Sequence, residues 1–196
     1  MQVDTFPMGP LATNCYLLSH NGHAFVIDPA EDGESLYRLL TDRGLVLDGI
    51  LLTHAHYDHM GGLKALYNLT GADVYLHPAD FPIGKVMGGG HLTVPTLPYP
   101  AHLSLAGEKI IVHSTPGHSP GSVTLEWGDM LFTGDTLFAQ SCGRVDFVGG
   151  SWDEMKTSLR ALAMLDGDRK VLPGHGESST LDLERRENPY MREALR

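Results

Sequence analysis

Three histidines and one aspartate fall within six consecutive residues of this chain. They are His54, His56, Asp58 and His59, and they follow the apolar run 50–52, which reads as a buried strand. Borderline divalent metals favour imidazole nitrogen and carboxylate oxygen as ligands. The end of a rigid strand also fixes the geometry of such ligands without a large ordering cost. The cluster therefore predicts a metal site, whereas the plainer interpretation is a polar helix start in which Asp58 is a favourable N-terminal carboxylate.

Three more candidate ligands follow predicted strands further along the chain. His118, Asp135 and His175 lie in the glycine-containing turns 115–121, 133–136 and 172–176. Glycine lets the backbone bend sharply and approach an ion closely. Taken alone, each of these residues would be a structural turn residue, but together with the cluster they are predicted to be ligands.

The elements that must position these residues alternate between strand-like and helix-like patterns. Predicted strands cover residues 2–6, 15–18, 24–28, 49–53, 74–76, 109–113, 122–127, 130–132 and 170–172. Predicted helices cover about 32–43, 60–67 and 151–165, and a polar helical segment broken by Pro189 runs from 181 to 196. The glycine- and proline-rich stretch 84–102 reads as a long surface loop. The order strands, helix, strands, helix occurs twice, which favours an α/β fold with two sheets sandwiched between helices.

These motifs resemble the metallo-β-lactamase-fold hydrolases, in particular the short single-domain relatives of glyoxalase II. The resemblance covers nearly all 196 residues. It implies an αββα four-layer sandwich of two mixed β-sheets, formed as one hydrolase domain over 1–196 without the extra helical C-terminal domain of full-length glyoxalase II. It also implies a dinuclear site, in which His54, His56 and His118 hold one metal, Asp58, His59 and His175 hold the other, and Asp135 bridges them.

The function implied by this resemblance is thioester hydrolysis. A hydroxide bridging two divalent ions, with Zn expected and Fe or Mn as alternatives, would attack the carbonyl of S-D-lactoylglutathione or a related acylglutathione. Asp58, His54, His56 and Asp135 are the predicted catalytic residues, and Asp58 could orient the nucleophile. The alternatives are a mononuclear iron persulfide dioxygenase, a hydrolase of another ester or lactone, a β-lactamase and a relative without enzymatic activity.

Several residues near the predicted site leave two interpretations open. Asp28 could hydrogen-bond a ligand imidazole, or it could be a turn carboxylate before Pro29. Arg144, in the Gly-Arg-x-Asp segment 143–146 that the family also has, could pair with Asp146 or bind a substrate carboxylate. Cys142 has no obvious neighbouring base, so a nucleophilic role is not favoured. The remaining histidines are predicted non-ligands: His20, His23, His77, His91, His102 and His113.

The composition excludes some partners. A formal net charge of -10 argues against a nucleic acid partner, because such proteins neutralise phosphates with basic residues. No stretch is apolar for long enough to span a membrane, and the start of the chain does not read as a signal peptide, so a cytoplasmic location is expected. Cys15 and Cys142 are then expected to be free thiols. The oligomeric state is not readable from the sequence.

Overall fold

Two β-sheets lie at the centre of the fold, which a computed structural model describes for residues 1–100 and 103–196. The first sheet has the order β1-β2-β3-β4-β5, with strands Gln2–Met8 (β1), Thr13–His20 (β2), His23–Ile27 (β3), Val46–Leu51 (β4) and Asp73–Tyr75 (β5). Its first three strands are antiparallel, and β4 and β5 continue the sheet in parallel. Parallel pairs need crossover connections, and helices supply them here.

The second sheet has six strands in the order β13-β12-β9-β8-β7-β6. They are Leu103–Leu105 (β6), Glu108–Ser114 (β7), Val123–Trp127 (β8), Met130–Gly134 (β9), Lys170–Pro173 (β12) and Ser179–Thr180 (β13). Only β9 and β12 pair in parallel. A small ribbon of Leu137–Phe138 (β10) and Ser141–Cys142 (β11) follows β9.

Helices cover the outer faces of both sheets. They are Gly33–Asp42 (α1), Leu63–Thr70 (α2), Phe81–Met87 (α3), Trp152–Ala163 (α4), Leu181–Glu187 (α5) and Pro189–Ala194 (α6), with 3₁₀ turns at Tyr57–His59 and Pro78–Asp80. Helix α4 begins at Ser151, whose side chain accepts a hydrogen bond from the Glu154 amide. Within the described ranges, no helix is long and apolar enough to cross a membrane.

Three hydrophobic cores separate the four layers. The alternation of β2 shows how they form: Leu17 packs towards α1 and α2, while Leu18 packs between the two sheets. The core between the sheets also contains Trp127 and Phe132, and a third core under α4 to α6 contains Leu159. Two mixed sheets flanked by helices confirm the predicted αββα sandwich.

The predicted surface loop over 84–102 is wrong in its first part, because residues 84–87 belong to α3. Pro82 fits the first turn of that helix, where its missing N–H costs nothing. Gly84 lies against the side chain of Leu92, so it serves close packing rather than a turn. The remainder of the segment runs to residue 100 and forms one bridge, between Leu97 and Tyr75. The loop prediction for 101–102 falls outside the described residues.

Candidate metal centre

The seven predicted ligands meet at one edge of the molecule, where strands of both sheets end. Strand β4 leads into residues 54–59, and β7, β9 and β12 lead to His118, Asp135 and His175. Because β7, β9 and β12 run in the same direction, their carboxyl ends share this edge. The structure therefore brings together all seven of the residues that the sequence singled out.

Three histidines form the buried histidine group: His54, His56 and His118. One nitrogen from each lies within 4.8 Å of the others. The Nδ1 atom of His56 is 2.8 Å from Nε2 of His118. The three residues are only 0%, 4% and 2% exposed. This group can offer three imidazole nitrogens to one cation.

A second cluster, the outer group, consists of Asp58, His59 and His175. Their ligand atoms also lie within 4.8 Å of one another. The Oδ2 atom of Asp58 is 3.2 Å from Nε2 of His175 and 3.6 Å from Nε2 of His59. The side chains of Asp58 and His175 are 14% and 26% exposed, so this cluster is more open to solvent than the buried histidine group.

Asp135 lies between the two groups. Its Oδ1 atom is 3.4 Å from Nε2 of His59, and its Oδ2 atom is 3.4 Å from Nε2 of His118 and 3.5 Å from Nε2 of His175. The side chain is only 10% exposed. One carboxylate thus reaches ligand atoms of both groups.

The hydrogen-bonding state of these atoms tests whether cations fit. Counting partners among the described residues only, four buried polar atoms of the site have none: Nε2 of His54, His56 and His59, and Oδ1 of Asp135. A buried unpaired polar atom costs roughly 1–3 kcal/mol. Imidazole and carboxylate donors are those that Zn²⁺ and similar ions take. The residues fit divalent cations.

Asp28 determines which nitrogen of His54 and His59, two candidate ligands, donates a hydrogen bond away from the site. Its Oδ2 atom accepts hydrogen bonds from Nδ1 of His59 at 2.9 Å and from the Thr53 hydroxyl at 2.6 Å. Since that hydroxyl hydrogen is used, Thr53 Oγ1 accepts from Nδ1 of His54 at 3.1 Å. Both Nε2 atoms are then free to bind a cation. The prediction that Asp28 hydrogen-bonds a ligand imidazole is confirmed.

Backbone carbonyl groups do the same for two other histidines. Nδ1 of His118 donates to the carbonyl oxygen of Arg144 at 2.7 Å, and Nδ1 of His175 donates to that of Leu11 at 3.3 Å. A carbonyl oxygen only accepts, so each Nδ1 must carry the hydrogen. The Nε2 atom of each of these two imidazoles is therefore the one that could bind a cation.

Asp80 is a supporting residue that sequence reasoning missed. It is fully buried, and its Oδ2 accepts from the Ala55 amide and the Ser119 hydroxyl, each at 2.8 Å. Its Oδ1 accepts from the Gly121 amide at 2.6 Å. Ala55 lies between His54 and His56, and Ser119 follows the third member of the buried histidine group. One carboxylate thus ties together the two loops that carry this group.

Burial and mutual repulsion keep two members of the buried histidine group neutral. Burial, followed by the charge of His118, lowers the pKa of His56 to about 4. Burial, followed by the charge of His59, lowers the pKa of His54 well below its ordinary value. At neutral pH these imidazoles are in the unprotonated form that a cation requires.

In the outer group, nearby carboxylates raise the pKa values of the two histidines. Burial alone would lower the pKa of His175, but hydrogen bonds to Asp135 and Asp58 raise it to about 9. Burial alone would also lower the pKa of His59, but the negative charges of Asp135 and Asp28 outweigh it and raise this pKa well above its ordinary value. A cation that binds this group must therefore displace protons from it.

Both carboxylates of the site are ionised at neutral pH. Burial alone would raise the pKa of Asp58, but the hydrogen bond from His175 and the charge of His59 lower it to about 2. Burial alone would also raise the pKa of Asp135, but the charge of His59 and the hydrogen bond from His175 outweigh it and hold this pKa well below its ordinary value. The site thus offers two anionic carboxylates to a cation.

A cavity of about 450 Å³ opens onto this centre. Its walls include both carboxylates and the side chains of Leu11, Met87, Phe138 and Phe147. Arg144 also lines it, but its Nε and Nη2 atoms each donate to the Asp146 carboxylate at 2.6 Å. Its guanidinium carbon lies 4.1 Å from the centre of the Phe147 ring. The pairing of Arg144 with Asp146 is confirmed, and a contact between Arg144 and substrate remains a prediction.

Two of the predicted non-ligand histidines contact carboxylates outside the candidate metal centre. His23 contacts Asp48 at 2.9 Å, and His113 contacts Glu126 at 2.7 Å. None of the possible metal-holding groups among the described residues includes these histidines, nor His20, His77 or His91. The prediction for His102 lies outside the described residues.

Both cysteines are free thiols, as expected. Burial, followed by the charge of Asp28, raises the pKa of Cys15 far above its ordinary value. Burial and Glu193 raise the pKa of Cys142, which lines the cavity, to about 11. A thiol that stays protonated at neutral pH is a poor nucleophile.

The family model of the metallo-beta-lactamase superfamily matches residues 8–175. The chain therefore belongs to this superfamily, whose members include metal-dependent hydrolases such as the relatives below. A probable metallo-hydrolase of Bacillus subtilis, YqgX, is 32% identical over 94% of this chain and 95% of its own length. A hydroxyacylglutathione hydrolase of Methylobacillus flagellatus is 39% identical over 82% of this chain, which spans only 60% of that relative.

Solved structures show the same fold. The B3 metallo-beta-lactamase BLEG-1 is 33% identical with a TM-score of 0.87, covering 97% of this chain and 99% of its own. TTHA1623, solved in a di-iron-bound form, is 35% identical with a TM-score of 0.84, covering 95% and 99%. ETHE1 from Myxococcus xanthus is 26% identical with a TM-score of 0.82, covering 96% and 84%.

Proposed function

We propose that this protein hydrolyses a thioester with the help of two divalent cations, and that S-D-lactoylglutathione or a related acylglutathione is the first substrate to test. In this proposal the buried histidine group holds one cation, the outer group holds the other, and Asp135 joins them. Zn²⁺ is the first metal expected, with iron or manganese as alternatives. The hydroxyacylglutathione hydrolase relative supports the choice of substrate class.

The observation that carries the proposal is the position of the Asp135 carboxylate. Its two oxygens lie 3.4 Å from nitrogen atoms of different groups, His59 in the outer group and His118 in the buried histidine group. When bound, two adjacent cations lower the pKa of a shared water and polarise the carbonyl group that it attacks. A single carboxylate that reaches both groups is the arrangement that this chemistry needs.

The chain's own residues complete the reaction. Asp58 lines the cavity and is ionised at neutral pH, and in the proposal it orients the attacking water. Its Oδ2 atom is itself held by the Thr13 hydroxyl at 3.1 Å. The departing thiolate is a good leaving group that needs little protonation, so no separate general acid is required.

The proposal extends to the setting of the enzyme. Because ligands come from loops between residues 54 and 175 and from both sheets, we propose that 1–196 acts as one hydrolase domain. Two free thiols support a reducing, cytoplasmic setting. The net charge of -10 supports a small-molecule substrate rather than nucleic acid.

Metal analysis followed by a thioester panel tests the proposal. Purified protein should contain about two divalent ions per chain and cleave S-D-lactoylglutathione or another acylglutathione. His54→Ala should lose both one ion and turnover, whereas His23→Ala, a change at a surface histidine paired with Asp48, should keep both. Less than about one ion per chain, or full activity in His54→Ala, would contradict the dinuclear mechanism.

A second candidate is a mononuclear iron persulfide dioxygenase. His54, His59 and Asp135 form a further group whose ligand atoms lie within 4.8 Å of one another. Two histidines and one carboxylate are typical of non-haem iron oxygenases. The similarity to ETHE1 also fits this candidate. Oxygen consumption with glutathione persulfide by the iron-loaded protein would favour it over hydrolysis.

A further inference from the structure

A second cavity of about 270 Å³ adjoins the one that opens onto the metal centre. Leu11, Tyr57 and Asp58 line both cavities, so Tyr57 stands between them. Of the seven candidate ligands, only Asp58 lines the smaller cavity. We call this space the side cavity. It can receive a part of the substrate that extends away from the reacting carbonyl group.

A thioester has two arms at its carbonyl carbon, the acyl group and the thiol. When the carbonyl carbon faces Asp135, the two arms must leave in different directions. The larger cavity has apolar walls, including Met87, Phe138 and Phe147, which suit an acyl chain. The side cavity, which is reached past Tyr57, is then the place for the thiol arm.

Free lysine and arginine side chains are lacking from the described walls of the two cavities. No lysine lines either cavity within the described part of the chain, and the one arginine that does, Arg144, is bound by both carboxylate oxygens of Asp146. The cations that the ligand groups would hold face the carbonyl group instead. Among the described residues, the walls of the side cavity therefore offer no lysine or arginine to a thiol that carries carboxylates.

Glu31 gives the side cavity a free negative charge. It is exposed and lines the cavity, and it takes part in no ion pair or hydrogen bond with any residue of 1–100 or 103–196. A Cβ atom on Gly9 would lie 2.7 Å from its Oε2, so the carboxylate rests against the turn between β1 and β2. The other titratable side chains that line it are Tyr57, Asp58 and His91.

We propose that the side cavity binds the thiol arm of the substrate and selects a thiol with a cationic head group, which Glu31 and Tyr57 recognise. A carboxylate attracts such a head group, and an aromatic ring binds a quaternary or primary ammonium through its face. Tyr57 is 48% exposed and available for this contact. The inference rests on the proposed thioester hydrolysis and changes its thiol class: a cationic thiol, rather than the glutathione thiol named above as the first to test.

A series of three thioesters with the same acyl group tests the inference. The thiols are thiocholine (a permanent cation that cannot accept the acyl group on nitrogen), the neutral N-acetylcysteamine and the anionic 3-mercaptopropionate. We expect KM to be lowest for the thiocholine ester, about threefold to tenfold below the neutral one, and highest for the anionic one. The test uses KM because the three thiols differ in acidity, and hence as leaving groups, which changes kcat independently of the side cavity.

Two matched variants assign the preference to the side cavity. Glu31→Gln should raise KM for the thiocholine ester most of the way to the neutral value, with the remaining preference due to Tyr57, and should leave the neutral ester unchanged. Glu34→Gln, the same change at an exposed residue in the first turn of α1, should alter none of the three values. Equal KM values in the parent protein, preference for the anionic ester, or a preference that Glu31→Gln leaves undiminished would overturn the inference while thioester hydrolysis stands. Absence of turnover with all three esters, and with the acylglutathiones, would overturn the proposed function and this inference with it.

Discussion

The buried histidine group and the outer group differ in how the protein holds them. His54, His56 and His118 are almost completely buried, and Asp80 fixes both loops that carry them. In the outer group, Asp58 and His175 are partly exposed, and single hydrogen bonds join them to Thr13 at the start of β2 and to Leu11 just before it.

This difference predicts that the two groups bind cations with different affinities. A preorganised buried site binds its cation without a further ordering cost, whereas a site that depends on a surface segment is weaker and exchanges faster. We therefore expect the first equivalent of cation to occupy the buried histidine group and the second to occupy the outer group.

Asp135 reaches both groups, so its substitution should affect both of them and not one alone. Asp135→Asn keeps one acceptor oxygen but removes the charge that the two cations would share. We expect weaker binding of both cations and a fall in kcat by at least about 10²- to 10³-fold, the cost of removing one preorganised charge-stabilising group. Metal titration and single-turnover kinetics check this. A variant that loses only one cation would show that Asp135 belongs to one group alone.

The two groups should also respond differently to pH. The pKa of His175 is raised to about 9, and that of His59 is raised as well, whereas the pKa values of His54 and His56 are lowered. Binding to the outer group should thus tighten by about tenfold per pH unit between 6.5 and 9 for each proton displaced. Binding to the buried histidine group should change little in this range.

The raised pKa of His175 also makes the stability of the metal-free protein depend on pH. Protonated His175 stabilises the folded state fully below pH 6.5, and this contribution is lost as the pH rises through about 9. Calorimetric titration in buffers of different ionisation enthalpy counts the protons released with each cation. Equal proton release in both binding steps would contradict the distinction between the groups.

The sequence located the candidate ligands better than it located their supports. Ligand types recur at strand ends in a spacing that has a chemical meaning, so all seven candidates could be named; β2 contains a continuous apolar run, and β8 is long enough for its alternation to be visible. Strands of two residues, such as β10, β11 and β13, show no period and do not stand out in the sequence. Asp80 was missed because its partners are backbone amides 25 and 41 residues away, which no local pattern reveals.

Asp80→Asn should weaken the buried histidine group selectively. The amide nitrogen of asparagine would face either the Gly121 amide or the Ala55 amide, and two donors cannot bond. We expect cation affinity of this group to fall by about 10- to 100-fold, as for other residues that support metal ligands. Cobalt(II) substitution followed by visible spectroscopy reports each group in turn.

Asp28→Asn is the matched control for this prediction. Asp28 contacts His59 directly and His54 through Thr53, so it supports both groups. Its substitution should perturb both cobalt spectra, and Asp80→Asn only the spectrum of the tightly bound ion. If the two variants behave alike, Asp80 acts through the general stability of the fold, which unfolding measurements would reveal.

Thr13→Val should have the smallest effect and should be confined to the outer group. The change keeps the shape of the side chain but removes the hydroxyl that donates to Oδ2 of Asp58. Loss of one such hydrogen bond costs about 1 kcal/mol, or roughly fivefold in affinity for the second cation. Thr5→Val, the same change at an exposed position on β1, should have no effect. A change in the first binding step of Thr13→Val would mean that the start of β2 supports both groups, and that the outer group is not separately held.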